Sequence, residues 1–319
     1  MTNQTRTFSE EYIPINGIQQ YFLHCPAALD SEVMLIIHGG PGQSEAPFAY
    51  QTEQNTPEIT SVFYDQRGAG KTLRKNPTNG RNVTPLQLMD DLVETVEHIK
   101  RKYKKEKVII SGHSWGSVLG LQYTHKYPDN VLFYIGAGQV VNMLKGEKEI
   151  FERLKKAAKE NANDFQKLER IVDYPNSVMY SKDFMPTMKT IAKMKRKYGM
   201  GIDMKKIRKI AMKSPHFQLV DIVAMIKAEK VNRLLMDYLL TINFEGTTNF
   251  QVPMYFVHGA EDFQIPVSLI REYFATIIAP DKELYIIPNA GHICNIDNPE
   301  GVLSVVRKIF NRRNDGSKH

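Results

Sequence analysis

Short, predominantly apolar runs recur along the chain at residues 33–37, 61–64, 108–111, 131–135, 254–257 and 284–287. Their hydrophobicity is continuous rather than alternating, the pattern of strands buried on both faces of a parallel sheet. Ahead of them, Tyr12-Ile13-Pro14-Ile15 and residues 18–23 flank Asn16-Gly17, a dipeptide that tolerates the positive φ of a type I′ turn. The chain is therefore expected to open with a β-hairpin. Helical periodicity fills the gaps between the later runs. Thr84 stands as an N-cap before Pro85, and Met89, Leu92, Val93, Val96 and Ile99 keep three-four spacing after it. Asn298-Pro299 introduces Val302, Leu303, Val306, Ile309 and Phe310 in the same way. Buried strands alternating with amphipathic helices predict a doubly wound α/β fold, whose ligand crevice lies at the carboxyl ends of the strands.

Residues 141–245 break the alternation. They show helical spacing, as in Ile150, Phe151, Leu154 and Ala158, without a buried strand, between turn-rich Gly136-Ala137-Gly138 and Gly246-Thr247-Thr248-Asn249. The expected organisation is a catalytic core of residues 1–140 and 246–319 with a helical insertion at 141–245. Ten of the fourteen Met lie in that insertion. Thioethers repack at low cost, so Met179, Met185, Met188, Met194, Met204 and Met225 would either fill irregular core gaps or line an adaptable apolar pocket.

Composition narrows the class. At 319 residues with 42% hydrophobic content the chain can build a full core. No apolar run approaches the roughly 20 residues of a bilayer span, and residues 1–11 are polar, so the expected location is the cytoplasm with no membrane partner. Cys25 and Cys294 lack metal or disulfide spacing and read as buried thiols, with no metal or other cofactor implied. The net charge of +7 belongs to one segment: residues 141–245 hold 22 basic and 13 acidic residues, leaving −2 for the remainder. Within it, residues 189–213 carry ten basic residues and one acid, Asp203. That stretch reads as a solvated face whose Lys stems cover apolar neighbours, or as an attractor of acidic partners. No nucleic-acid module accompanies it. Nothing in the composition fixes an oligomeric state.

The chemistry begins at the run 108–111, which leads straight into Gly112-His113-Ser114-Trp115-Gly116 and then a helical pattern. Gly-x-Ser-x-Gly arises by chance in about one chain in ten of this length, but between a strand and a helix it describes a nucleophile elbow. A serine hydroxyl needs a base within hydrogen-bond reach and an acid to orient that base. His292, in the loop after the last run, is the best placed of nine histidines. Asp262, just past the run 254–257, is the candidate acid, with adjacent Glu261 as runner-up. An acyl-transfer site also needs donors aimed at the developing oxyanion. His38-Gly39-Gly40-Pro41-Gly42 follows the first run and offers the Gly40 N–H, with the Trp115 N–H as the second donor. Taken alone, that stretch is a tight Gly-Pro turn.

Three stretches together, His38 to Gly42, Asp65-Gln66-Arg67-Gly68-Ala69-Gly70 and Gly112 to Gly116, resemble the proline iminopeptidase branch of the α/β-hydrolase superfamily. The resemblance implies an α/β-hydrolase fold: a mostly parallel sheet flanked by helices, with a helical cap inserted after the sixth strand. It implies Ser114 as nucleophile, His292 as general base, Asp262 as its orienting acid, and Gly40 with Trp115 as oxyanion donors, supported by His38 and Gly39. Asp65 and Arg67 become an ion pair bracing the loops. The implied activity is a serine aminopeptidase acting on short peptides or aminoacyl amides and esters. Carboxylesterase, lactonase, C–C bond hydrolase and non-catalytic ligand-binding readings stand as alternatives. The family's Glu-Asn-His-Tyr-type cap segment, which holds a substrate amino group, has no counterpart here. By position Glu229 and Glu245 are the nearest acids for that role, although a cap carrying +9 suits a cationic amine poorly.

Overall fold

A computed structural model describes residues 8–28, 30–52, 59–77, 82–176 and 181–316. Eight strands, β1 (Ser9–Ile15), β2 (Ile18–Cys25), β3 (Glu32–Ile37), β4 (Ile59–Tyr64), β5 (Val108–His113), β6 (Val131–Ala137), β7 (Met254–Gly259) and β8 (Lys282–Ile287), form one sheet in the order β1-β2-β4-β3-β5-β6-β7-β8. The hairpin turns at Asn16 and Gly17, with φ of 43° and 80°. β2 runs antiparallel to β4, and every pairing from β4 to β8 is parallel. Parallel pairing requires crossovers. α1 (Ala49–Thr52) precedes β4, α2 (Gly70–Lys75) and α3 (Pro85–Tyr103) lead to β5, and α4 (Trp115–Lys126) leads to β6. Thr84 caps α3 through its side chain, with Gln87 completing a capping box.

Each central strand has two apolar faces, and both are covered. Leu35, Ile110, Met254 and Phe256 pack with Leu92, Val96 and Ile99 of α3 on one side. Met34, Ile109, Tyr255 and Val257 pack with Ile309 and Phe310 on the other. The strand register levels the sheet's carboxyl edge. Ile37 pairs with Gly112, His113 with Ala137, and Gly259 with Ile287. The loops after β3, β5, β6, β7 and β8 therefore leave the sheet along one rim.

Between β6 and β7 the chain forms α5 (Met143–Ala157), α6 (Ala162–Glu169), α7 (Phe184–Lys197), α8 (Met204–Ala211), α9 (Asp221–Val231) and α10 (Arg233–Leu240). Its ends lie side by side, joined by an Asn142–Asn243 bridge and by the Phe244 N–H donating to the Val141 carbonyl at 2.7 Å. Ile150, Phe151, Leu154, Leu168, Ile191 and Met194 give the insertion a core of its own. Beyond β7 come α11 (Val267–Thr276), α12 (Cys294–Asp297) and α13 (Pro299–Gly316). Among the described residues, no helix is long and apolar enough to cross a membrane.

The expected Asp65–Arg67 pair does not form. The chain turns after β4 and the two side chains diverge. Arg67 grips Asp91 of α3 with two donors, Nε to Oδ2 at 2.8 Å and Nη2 to Oδ1 at 2.9 Å. Asp65 turns instead to the start of α2, where its Oδ2 accepts the Lys71 N–H at 2.6 Å. Asp91 is almost wholly enclosed, and removing its cationic partner would strand a buried charge. Arg67→Met is expected to lower unfolding free energy by about 3 kcal/mol, measured as a lower urea midpoint. The double variant Arg67→Met/Asp91→Leu should recover most of that loss, and an unshifted midpoint in the single variant contradicts the pairing.

Candidate active site

Ser114 occupies the joint between β5 and α4 with φ 51° and ψ −117°, a conformation that L-residues rarely adopt. The glycines on either side are sterically required. A Cβ on Gly116 would lie 1.9 Å from the Ile37 carbonyl oxygen, and one on Gly112 would lie 2.5 Å from the Gly116 carbonyl oxygen. Only with both glycines can α4 close against β3 and β5 and lift the Ser114 side chain above the rim. Ser117 fastens the turn from below, its hydroxyl donating to the Ser114 carbonyl at 2.6 Å and accepting the Val140 N–H at 3.0 Å.

Ser114, His292 and Asp262, contributed by the loops after β5, β8 and β7, form one row. His292 Nε2 lies 2.9 Å from Ser114 Oγ, and His292 Nδ1 lies 2.8 Å from Asp262 Oδ2. Because an ionised carboxylate only accepts, Nδ1 carries a proton, and whenever the ring is uncharged Nε2 faces the hydroxyl as an acceptor. Asp262 is held in turn by the Gln264 and Ile265 N–H groups, at 2.7 and 2.9 Å on Oδ1. Burial works to raise its pKa, but the charge and hydrogen bond of His292 outweigh that and bring it down to about 2. His258, enclosed beside it, has its pKa lowered by burial and binds the Ile265 carbonyl through Nε2 at 2.9 Å. Glu261, the alternative acid, makes no hydrogen bond to His292 among the described residues. Cys294, near this row, is buried, and desolvation pushes its thiol up to about 12, so it remains an uncharged packing group.

Gly40 has φ 116°, and a Cβ there would meet the Gly42 nitrogen at 2.7 Å. Its N–H has no hydrogen-bond partner among the described residues. The Trp115 N–H, opening α4, has no intrahelical acceptor. The loop bearing Gly39 and Gly40 is locked from behind. The Gln66 N–H donates to His38 Nε2 at 3.0 Å, which leaves Nδ1–H to donate to the Gly39 carbonyl at 2.9 Å. Gln66 also bridges the His38 carbonyl and the Trp115 indole N–H, at 2.8 and 3.0 Å.

Two residues at this site went unread in the sequence. His113 Nδ1 meets Glu45 Oε1 at 2.6 Å and its Nε2 meets the His292 carbonyl at 3.1 Å. Both partners are acceptors, so the ring is an imidazolium. Burial opposes that charge, but Glu45 outweighs it and raises the His113 pKa, and His113 in turn lowers that of Glu45. The pair ties the elbow, the glycine loop and the His292 loop together. Glu45, six residues beyond Gly39, has no sequence signature beyond being an acid in a turn.

Ser114 and His292 open into a cavity of about 800 Å³ between the sheet rim and the insertion. Met188, Met204 and Met225 line it, while Met194 packs in the insertion core. Met179 and the Met185 side chain lie outside the described residues. Glu229 borders the cavity, but it is exposed and paired with Lys189 at 3.3 Å. Glu245 is not at the site. It stands at the base of the insertion, bonded to Asn142 and Lys145 at 3.0 Å each, because the closing bridge turns it outward. Three buried acids among the described residues line the cavity: Glu147 of α5, which accepts from the Tyr174 hydroxyl at 2.7 Å with Lys195 at 4.0 Å, Asp221, paired with Arg74, and Asp65. Among the described residues no group of three or more His, Cys, Asp or Glu is placed to hold a metal ion.

Residues 32–299 match the family model described as alpha/beta hydrolase fold. A probable aminopeptidase, YbaC of Bacillus subtilis, is 21% identical over 91% of this chain and 90% of its own length. Proline iminopeptidase of Heyndrickxia coagulans is 22% identical over 95% and 99%. The crystal structure of proline iminopeptidase from Mycobacterium smegmatis superposes with a TM-score of 0.68 at 17% identity, covering 97% of this chain and all of that one.

The depressed Asp262 value sets a stability signature. Its folded pKa of about 2 lies below the ordinary 3.8, so its contribution is complete above about pH 4 and is lost as pH falls towards 2. The unfolding free-energy gap between wild type and Asp262→Asn, measured in urea, is expected to be flat near neutrality and to shrink on acidification below about pH 4. A gap that widens in acid contradicts the assignment.

Proposed function

The chain belongs to the alpha/beta hydrolase fold family, and from that premise we propose that it is a serine hydrolase working through an acyl-enzyme. One observation carries the reading: Ser114 Oγ, the His292 ring and the Asp262 carboxylate stand in hydrogen-bond sequence, at 2.9 and 2.8 Å, at the floor of a large cavity.

In this mechanism His292 Nε2 takes the Ser114 proton as Oγ attacks the substrate carbonyl carbon. The Gly40 and Trp115 N–H groups receive the negative charge that develops on the carbonyl oxygen, each contributing about 3 kcal/mol to the barrier reduction. Collapse of the tetrahedral species breaks the bond to the leaving group, which departs with the proton held on His292. Water then gives a proton to His292 and attacks the acyl-enzyme, and Ser114 is regenerated. Asp262 holds the ring in the required tautomer and stabilises the imidazolium. The helical segment 141–245 serves as the cap over the acyl pocket.

For the substrate, the names of the relatives favour aminopeptidase action on short peptides or aminoacyl amides. A carboxylesterase reading is favoured by the cavity itself. Glu147, Glu45 and Glu229 are already engaged by Tyr174, His113 and Lys189, respectively. Asp221 is paired with Arg74, Asp65 holds the Lys71 N–H through Oδ2 and has its buried Oδ1 without a partner among the described residues, and much of the lining is Met, Ile and Leu.

A fluorophosphonate probe is expected to label wild type and to leave Ser114→Ala unlabelled, read by intact mass. A wild-type protein that resists the probe sinks the nucleophile assignment in favour of a binding protein. Turnover of aryl esters and aminoacyl nitroanilides then ranks the substrates: cleavage of esters alone removes the aminopeptidase reading, and preference for the anilides removes the esterase one.

A further inference from the structure

Helix α9 is apolar on both sides. Ala224, Ala228 and Val231 form its buried inner face, while Ile222, Val223, Met225 and Ile226 face water, Ile226 at 70% exposure. Leu219, at 72%, and Val220 extend that outer face, and Met204 and Met212, at the start of α8 and just past its end, are exposed beside the cavity. Surface helices of globular proteins place polar residues outward, and a contiguous apolar patch marks a contact surface. This patch also belongs to the candidate active site, because Met204, Met212, Ile222, Met225 and Ile226 line the cavity containing Ser114.

The charge among these residues is one-sided. Lys205, Arg208, Lys209, Lys213, Lys227 and Lys230 are exposed, and none makes an ion pair among the described residues. The exposed acids of the same stretch are engaged, Glu229 by Lys189 and Asp203 by the Lys205 and Lys206 N–H groups that open α8. A second copy of this face would set six unpaired cations against six, which disfavours self-association. An anionic bilayer surface suits both features, since apolar side chains enter the headgroup boundary while cations meet lipid phosphates.

We propose that the α8–α9 face docks on anionic membrane surfaces, so that the cavity mouth opens onto lipid and admits an ester with an apolar acyl chain that partitions into the bilayer. Docking stands independently of the acyl-enzyme reading, whereas the lipid-ester substrate rests on it.

Vesicle flotation separates the two. Wild type and Ser114→Ala are both expected to float with phosphatidylcholine vesicles containing phosphatidylglycerol, less so at high salt, and not with phosphatidylcholine alone. Leu219→Asp/Val223→Asp and Lys209→Glu/Lys213→Glu lie off the cavity lining, and each should weaken binding by roughly tenfold or more while turnover of a water-soluble aryl ester is unchanged. Absence of flotation overturns the proposal. So does binding that Leu219→Asp/Val223→Asp leaves intact, which would be adsorption by charge alone, and so does a dimer in sedimentation that this variant dissolves. If docking holds but wild type leaves a fatty-acyl ester in the vesicles uncleaved while hydrolysing the aryl ester, the lipid-ester substrate is overturned.

Discussion

A carboxylate buried as deeply as Asp262 must be fully compensated, and the way it is compensated decides what the site can do. Two backbone N–H groups occupy one oxygen, and the His292 Nδ1–H occupies the other. That last bond fixes the tautomer. With one proton committed to Nδ1, the uncharged ring presents Nε2 to Ser114 as an acceptor. Electrostatics and hydrogen-bond direction thus hold three otherwise ordinary side chains in one hydrogen-bonded row. The same bond keeps the acid ionised and holds the imidazole against rotation.

Everything else at the rim supplies position. Continuous hydrophobicity buries the strands on both faces and makes the sheet parallel, and parallel register brings the loops after β3, β5, β7 and β8 to one edge. Gly112 and Gly116 then allow the Ser114 turn, which any side chain at either position would block. His38, Gln66 and the Trp115 indole lock the glycine loop, and the Glu45–His113 pair links that loop to the backbone of His292. A buried imidazolium beside the Ser114 hydroxyl is costly in isolation, and the Glu45 carboxylate offsets that cost.

The strands, the hairpin turn, the capped α3 and the elbow were legible because each depends on local chemistry: a period, an N-cap, an Asn-Gly turn, a pair of glycines. Ser114, Asp262 and His292 were legible because a strand order and a rim are enough to bring them close. What depends on long-range packing was not. Arg67 chose Asp91, 24 positions away, over Asp65 two away, because a turn rather than spacing aims the side chain. Glu147, Lys195 and Tyr174 meet only through the packing of α5 and α7 and the segment between α6 and α7, so no spacing announces them. Sequence position brought Glu245 near the chemistry, and the closing bridge of the insertion turned it away. The basic stretch divides: Lys195 is buried and Lys206 is paired with Asp297, while Lys205, Lys209 and Lys213 remain exposed.

The site is therefore a rigid rim of sheet loops facing an apolar, Met-lined cavity roofed by helices. The rim carries Ser114, His292 and Asp262, and the helices of the insertion contribute shape and apolar surface. A crystal structure of the Ser114 phosphonate adduct would test this division most directly. The account predicts a phosphoryl oxygen within hydrogen-bond distance of both the Gly40 and Trp115 N–H groups, His292 still bonded to Asp262, and the alkyl group in the cavity. An adduct whose phosphoryl oxygen points to solvent, or in which His292 has left Asp262, would contradict it.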